Sequence, residues 1–361
     1  MLTRVDTGYL WRALELAERG EGHTRPNPPV GAVIVSDGRI VGEGWHRRAG
    51  GDHAEVAAIR DAQGKGRGLA GATLYVTLEP CSRPGRVGAC TDAIAAAGLG
   101  RVVYALADPN PANRGRATRA LAKAGVACVR AGKAACDPVE WGACGGLKAF
   151  LAAARRLLAP FAKHVTTGLP YVTVKLAMSL DGRICDSEGN AKWISSAASR
   201  RLVGWERARA DAILVGAETV RRDDPSLLSH SRRNDDLIRV VVTRSGNLPK
   251  TAQVLADGRN ETVVFRRPPS LREALRQLGA RGVMHVLCEG GLKLATALAD
   301  EGLVDRWICV TSPLVIGSRP IGRALRFRLQ EDGVSDPLAG DRIGSYECLP
   351  ESSRRSARSG A

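Results

Sequence analysis

The chain has 361 residues, enough for two domains at roughly 100–200 residues each and enough to bury a core without disulfide staples. Hydrophobic residues make up 44% and charged residues 25%, which excludes a disordered or fibrous chain. The net charge of +16 comes from arginines spread along the whole chain with no stripe of interleaved aromatics, so nucleic acid is not the expected partner.

The N-terminus lacks an apolar core and a small-residue cleavage site, so it does not read as a signal peptide. No run approaches the roughly 18 apolar residues of a membrane helix. A cytoplasmic protein is expected, and most of the nine cysteines then read as free thiols.

Residues 9–20 carry apolar side chains at helical spacing, stopped by Gly20. A Pro-rich loop follows, then VGAVIVSDGRIVGEG, two apolar runs around an Asp-Gly turn that predict a hairpin. A helix is expected over His53–Ala62, a strand over ATLYVTLEPC, a helix over Cys90–Ala97, a strand over RVVYALAD and a helix over Ala117–Ala124. This alternation predicts a three-layer α/β domain over residues 1–150. Residues 160–170 are the candidate linker. Beyond it, YVTVKLAM, DAILVGAETV, LIRVVVTRSG, ETVVFRR, VMHVLCEGG and RWICVTSPLVIG read as strands, the second running into a turn and the last one final. RRLVGWERARA, LREALRQLGARG and LKLATALADEG read as helices. A second α/β domain with a mainly parallel sheet is therefore expected over 160–350, ahead of a basic, disordered tail at 351–361.

The chemistry concentrates in three short stretches: His53-Ala54-Glu55, Pro80-Cys81 and Cys90. One imidazole and two thiolates suit Zn²⁺ and leave a fourth tetrahedral position for water. The metal acidifies that water, and Glu55, on the first turn of the helix that His53 opens, is the expected proton carrier. H-x-E followed by P-C and a further cysteine is the pattern of zinc-dependent nucleobase deaminases. Here the two cysteines lie nine residues apart rather than three. A cysteine at a helix start also favours thiolate, because the helix dipole is positive there.

With PNPPVGAVIV, GEGWHRRAGGDHAE, ATLYVTLEPCS, GRVGACTDAI and DPNPANRGR in view, residues 1–150 resemble the cytidine-deaminase-like α/β/α domain of the bifunctional riboflavin-biosynthesis deaminase/reductases. The wide cysteine spacing is that family's own variant. PYVTVKLAMSLDGRI, WISSAASR, ARADAILVGAETVRRDDPSLL, EGG and SPLVIG resemble the family's second domain, which has a dihydrofolate-reductase-like fold. The resemblance implies two steps. Zinc-activated water removes an amino group from a phosphoribosylamino-diaminopyrimidinone, and NADPH then reduces the ribosyl group to ribityl.

It also implies roles by position. Asn27, His46, Arg83 and Arg86 would meet the pyrimidine or its phosphate. Lys175, Ala191, Arg207, Leu227, His230 and Glu289 would line the reductase substrate site, with Asp181 shaping it. Ala177, Trp193, Ser195, Thr219, Asp223, Gly290, Gly291, Leu292 and Lys293 would meet NADPH, the glycines admitting a pyrophosphate to a helix N-terminus. A homodimer or tetramer through the reductase halves is implied as well.

Three positions depart from the family, which usually has His at Arg83, Ser at Ala191 and Arg at His230. A histidine cannot make the bidentate phosphate clamp of an arginine. These departures motivate a second reading, a deaminase or specialised-pathway paralogue with an altered second half. The net charge motivates a third, a nucleic-acid base deaminase.

Overall fold

The structure is a computed structural model and describes residues 2–83, 88–133, 145–186, 194–229, 236–316, 329–331, 337–338 and 341–348. Arg86, Ala191, Trp193 and His230, together with the tail, lie outside them. The chain divides into two units, residues 1–168 and 169–361.

The first unit runs α1 (Arg4–Glu18), β1 (Gly31–Ser36), β2 (Arg39–Trp45), α2 (Ala54–Gly64), β3 (Thr73–Leu78), α3 (Cys90–Ala96), β4 (Arg101–Leu106), α4 (Arg116–Lys123), β5 (Ala127–Arg130) and α5 (Gly145–Thr167). Helix α1 starts earlier than expected because Thr3 and Asp6 form a capping box: Asp6 N–H donates to Thr3 Oγ1 at 3.1 Å, and Thr3 N–H to the Asp6 carboxylate at 2.8 Å. The expected hairpin is β1–β2, and the sheet order is β2-β1-β3-β4-β5, parallel from β3 to β5. The short strand β5 was not expected.

Strand alternation sends neighbouring residues to opposite faces. Val33, Tyr75 and Val103 pack under α1 and α5, and Ile34, Leu74 and Val102 under α2, α3 and α4. The expected three layers result. The expected linker is instead helical through residue 167. The apolar stripe Leu147, Phe150, Leu151, Ala154 and Leu157 binds α5 to the first core, and the helix continues through Pro160. Burial of that stripe outweighs the hydrogen bond the proline forfeits.

The second unit runs β6 (Tyr171–Met178), α6 (Ala197–Arg209), β7 (Ala212–Gly216), α7 (Ala217–Asp223), β8 (Ile238–Thr243), α8 (Gln253–Ala256), β9 (Thr262–Arg266), α9 (Leu271–Ala280), β10 (His285–Cys288), α10 (Leu292–Asp300), β11 (Arg306–Thr311), β12 (Leu329–Glu331), β13 (Pro337–Leu338) and β14 (Asp341–Cys348). The described strands form a sheet in the order β12-β14-β11-β6-β10-β7-β8-β9, with β13 on β14. From β11 to β9 all pairs are parallel, as expected, and β14 adds antiparallel to β11. Two readings are corrected. Residues 217–223 are a helix rather than a turn, and β11 is followed by three more described strands, the short β12 and β13 and the eight-residue β14. Both faces are apolar: Val174, Leu214 and Val240 pack with α9 and α10, and Ile213, Val215 and Val241 with Val220 and Val254. Such double burial is what a parallel sheet requires.

Candidate active site

Helix α2 lies close on β2, and glycine makes that approach possible. A Cβ on Gly44 would stand 2.4 Å from Ala58 N and 2.6 Å from Ala54 O. This contact holds the first turn of α2 against the sheet. His53 occupies its N-cap with extended backbone, and Glu55 follows in the first turn. Cys81 comes just after β3, and Cys90 opens α3.

These three elements bring His53, Cys81 and Cys90 together, with their ligand atoms all within 4.8 Å of one another. His53 Nδ1 stands 3.2 Å from Cys90 Sγ and 3.6 Å from Cys81 Sγ. Bonds of about 2.0–2.3 Å at tetrahedral angles put ligand atoms roughly 3.3–3.8 Å apart, so the donor set and its spacing both fit Zn²⁺. Cys90 N–H donates to Cys81 Sγ at 3.4 Å, as expected for a thiolate near a helix start.

Protons are shared unevenly in this cluster. The hydrogen bond from Cys90, with help from His53, holds the Cys81 thiol down at about 4 against the opposing effect of burial. Its bond to Cys81, then burial, pushes the Cys90 thiol up. The same Cys81 contact raises His53. A cation binding these atoms displaces their protons. Glu55 is 4% exposed, and burial raises its carboxyl above the ordinary range. A raised carboxyl is suited to receiving and returning a proton near neutral pH.

Asn27 and His46 join the same site. The His46 and His53 rings are 5.4 Å apart, edge to face. His46 Nδ1 is 2.8 Å from the carbonyl of Asp52, so Nδ1 carries the hydrogen and Nε2 accepts from Asn27 Nδ2 at 3.1 Å. Burial lowers His46, which keeps it neutral. Arg83 is exposed beside the cluster's Cys81 turn. The sequence reading missed Asp108, a buried carboxyl after β4 that burial raises and whose titration Cys81 also influences. Its signal was present in the DPNPANRGR stretch.

In the second unit, Arg207 of α6 and Glu289 at the end of β10 form a two-point ion pair at 2.6 and 2.9 Å. Arg207 also donates to the carbonyl of Leu228 at 3.0 Å. Lys175 on β6 shares this neighbourhood. Burial lowers its amine, Arg207 pushes the same way and Glu289 opposes. Leu227 has a left-handed backbone (φ 52°) and a side chain buried among Ile213, Val215 and Val220, so its backbone rather than its side chain is what a ligand could reach. Asp181 accepts from Ser179 Oγ at 2.5 Å and from Ile316 N–H at 3.2 Å.

Gly291 caps α10 without a side-chain hydrogen bond, and a Cβ there would meet nothing within 4 Å. Open space over uncapped amides at the end of a parallel strand fits a pyrophosphate, and so fits NADPH. Leu292 and Lys293 begin that helix, Thr219 and Asp223 lie on α7, Ala177 is on β6, and Ser195 precedes α6. These positions stand at or beyond the C-terminal ends of β6, β7 and β10, apart from Ser195.

The chain matches two family models: the cytidine and deoxycytidylate deaminase zinc-binding region over residues 3–106, and the RibD C-terminal domain over residues 170–331. It is 36% identical over 338 residues to riboflavin biosynthesis protein RibD of Aquifex aeolicus, covering 88% of this chain and 89% of that one. It is 42% identical over 310 residues to RibD of Mycobacterium tuberculosis, covering 84% of each. A solved deaminase/reductase from Thermotoga maritima superposes with a TM-score of 0.82 at 32% identity, covering 96% of this chain and 99% of that one.

Proposed function

The chain belongs to the RibD family of riboflavin-biosynthesis deaminase/reductases, and we propose that it deaminates a phosphoribosylamino-diaminopyrimidinone in the unit ending at Gly168 and reduces the product's ribosyl group in the unit beginning at Leu169. The observation that carries the reading is the His53, Cys81 and Cys90 cluster with buried Glu55 beside it.

Zinc, when bound, supplies Lewis acidity toward water and makes it nucleophilic near neutral pH. Glu55 would take one proton from water on a carboxylate oxygen and pass it to the ring nitrogen, then carry a second proton, from the hydroxyl that water leaves on the ring carbon, to the amine that departs as ammonia. Because Asn27 Nδ2 is already given to His46, its Oδ1 is the atom offered to an N–H on the pyrimidine. Buried walls around Glu55 exclude bulk water, which keeps the proton on this route.

NADPH, when bound, supplies the hydride for the second step. The first amides of α10 would hold its pyrophosphate. Opening the ribose needs a proton at the ring oxygen, and we assign it to the Lys175 amine, which burial and Arg207 make more acidic than usual. Glu289, fixed by Arg207, would face the ribose hydroxyls. An assembly of two or four copies belongs to the same proposal and is checked by mass in solution. No helix among the described residues is long and apolar enough to cross a membrane.

The test is one cuvette holding zinc-loaded protein, NADPH and the diaminopyrimidinone. Ammonia release followed by NADPH oxidation is the expected result. Ammonia without NADPH oxidation would favour the reading in which the second half has changed, motivated by His230 and Ala191. No ammonia would sink the proposal.

A further inference from the structure

Glu79 stands two residues before the metal ligand Cys81, yet the proton chemistry assigned to Glu55 leaves it without a part. It is 3% exposed. A carboxylate so buried needs donors, and those found for Glu79 all belong to one segment. Its Oε2 accepts from Asp108 N–H at 3.2 Å and from Gly115 N–H at 3.1 Å, and Oε1 accepts from Ala117 N–H at 3.2 Å. Its own N–H donates to the carbonyl of Leu106 at 2.8 Å. These bonds bracket the loop 107–115 between β4 and α4.

The loop needs such an anchor. Gly115 is the N-cap of α4 and gives no side-chain cap, so Glu79 supplies the capping oxygens from another element. Within the loop, Asp108 accepts from Asn110 N–H at 2.8 Å and Asn113 Nδ2 at 3.1 Å, and Asn110 Oδ1 accepts from Ala112 N–H at 3.0 Å. The loop is thus stiff in itself and fixed at both ends to Glu79. Because β3 and β4 are adjacent and parallel, the metal turn after β3 and the loop after β4 leave the same sheet edge side by side. That edge is where open parallel sheets bind ligands.

The geometry points to Glu79 as a positioning residue that holds the loop 107–115 as one wall of the deaminase pocket, and so sets how tightly the pyrimidine binds without touching it. This inference rests on the deaminase reading above. Its chemistry is charge-specific. Two carboxylate oxygens accept from three amides, whereas a glutamine of the same shape has one acceptor and turns an NH₂ toward N–H groups.

The experiment compares the zinc-loaded full chain with E79Q and E79D. In E79Q the pyrimidine KM rises about tenfold or more, the size of one lost charge-assisted bond, while kcat stays within about threefold. Zinc content stays full, and reduction of the separately supplied deaminated intermediate is unchanged. Amide exchange at Asp108, Gly115 and Ala117 speeds up about tenfold or more, with β3 and β4 unaffected. E79D, which keeps the charge, recovers part of both losses. Unchanged KM and exchange in E79Q overturn the inference, and so does a fall in zinc content or kcat with KM intact. Should E79Q not fold, E79D carries the same readouts, and wild-type KM and exchange there overturn it. Wild-type protein that releases no ammonia refutes the deaminase reading instead, and exchange still tells whether Glu79 anchors the loop.

Discussion

The two units hold their chemistry in opposite ways. In the first, the candidate metal ligands and the buried Glu55 come from two helix starts and one strand end, all between His53 and Cys90. In the second, Lys175, Arg207, the Leu227 loop, Glu289 and the glycine turn come from elements dispersed from β6 to α10, and the sheet gathers them. A metal needs few atoms at fixed spacing, so a short motif specifies it. A hydride-transfer pocket needs a long surface, and only the strand order β11-β6-β10-β7 creates it. One half should therefore fail sharply on a single change, and the other by degrees.

The sharpest break is Glu55→Gln. It removes the proton carrier while leaving the ligands intact. Ammonia release is expected to fall by about a thousandfold or more, within the range for a general acid–base group. Bound zinc and NADPH oxidation with the deaminated intermediate should both persist. If reduction fell together with ammonia release, the two sites would not be the separate devices described here.

The same contrast governs what the sequence discloses. His53, Glu55, Cys81 and Cys90 are legible because the chemistry fixes their types and spacing. The three-layer order is legible because strand and helix periods alternate cleanly. Glu79 is not, since nothing local says that its partners are the amides of Asp108, Gly115 and Ala117. Leu227 is expected at the substrate site from resemblance alone; its side chain packs in the core, and its positive φ is what sets the position apart in the structure. Pro160 suggested a linker, and the apolar stripe of α5 outweighed it. The earlier start of α1 rests on the T-x-x-D box at Thr3, a local signal that apolar spacing does not carry.

Acid should separate the units next. His285 on β10 is buried, with Nε2 against Thr173 Oγ1 at 2.9 Å, and burial holds it down at about 4. Glu206 and the backbone carbonyl of Arg209 oppose that effect, and the charges of Arg306 and Arg209 add to it. A base depressed when folded contributes stability above its unfolded pKa of roughly 6.5 and loses it as pH falls toward 4. The loss amounts to about 3 kcal/mol. In the first unit burial works to raise Asp6, but bonds from Arg101, Tyr75 and Thr3 outweigh it and hold the carboxyl at about 2. Its contribution of about 2 kcal/mol is present above its unfolded value of about 4 and is lost only as pH falls through 2. Amide exchange, corrected for its intrinsic pH dependence, should show β10 losing protection between pH 6.5 and 4 while β3, which carries Tyr75, holds. Simultaneous loss in both strands would contradict the assignment.

Arg207→Lys tests the graded failure expected of the second unit. The guanidinium meets Glu289 at two points and also reaches the carbonyl of Leu228, joining a strand end to the Leu227 loop. Lysine keeps the charge but has no planar fork, so it satisfies Glu289 or the loop carbonyl and not both. The pocket remains, held less firmly. NADPH oxidation with the deaminated intermediate should then show KM raised about tenfold, or roughly 1.4 kcal/mol, with kcat falling less than KM rises. Ammonia release should not change. A loss as steep as that of Glu55→Gln would mean that Arg207 takes part in the chemical step, and the contrast between a point-like site and a distributed one would be wrong for this residue.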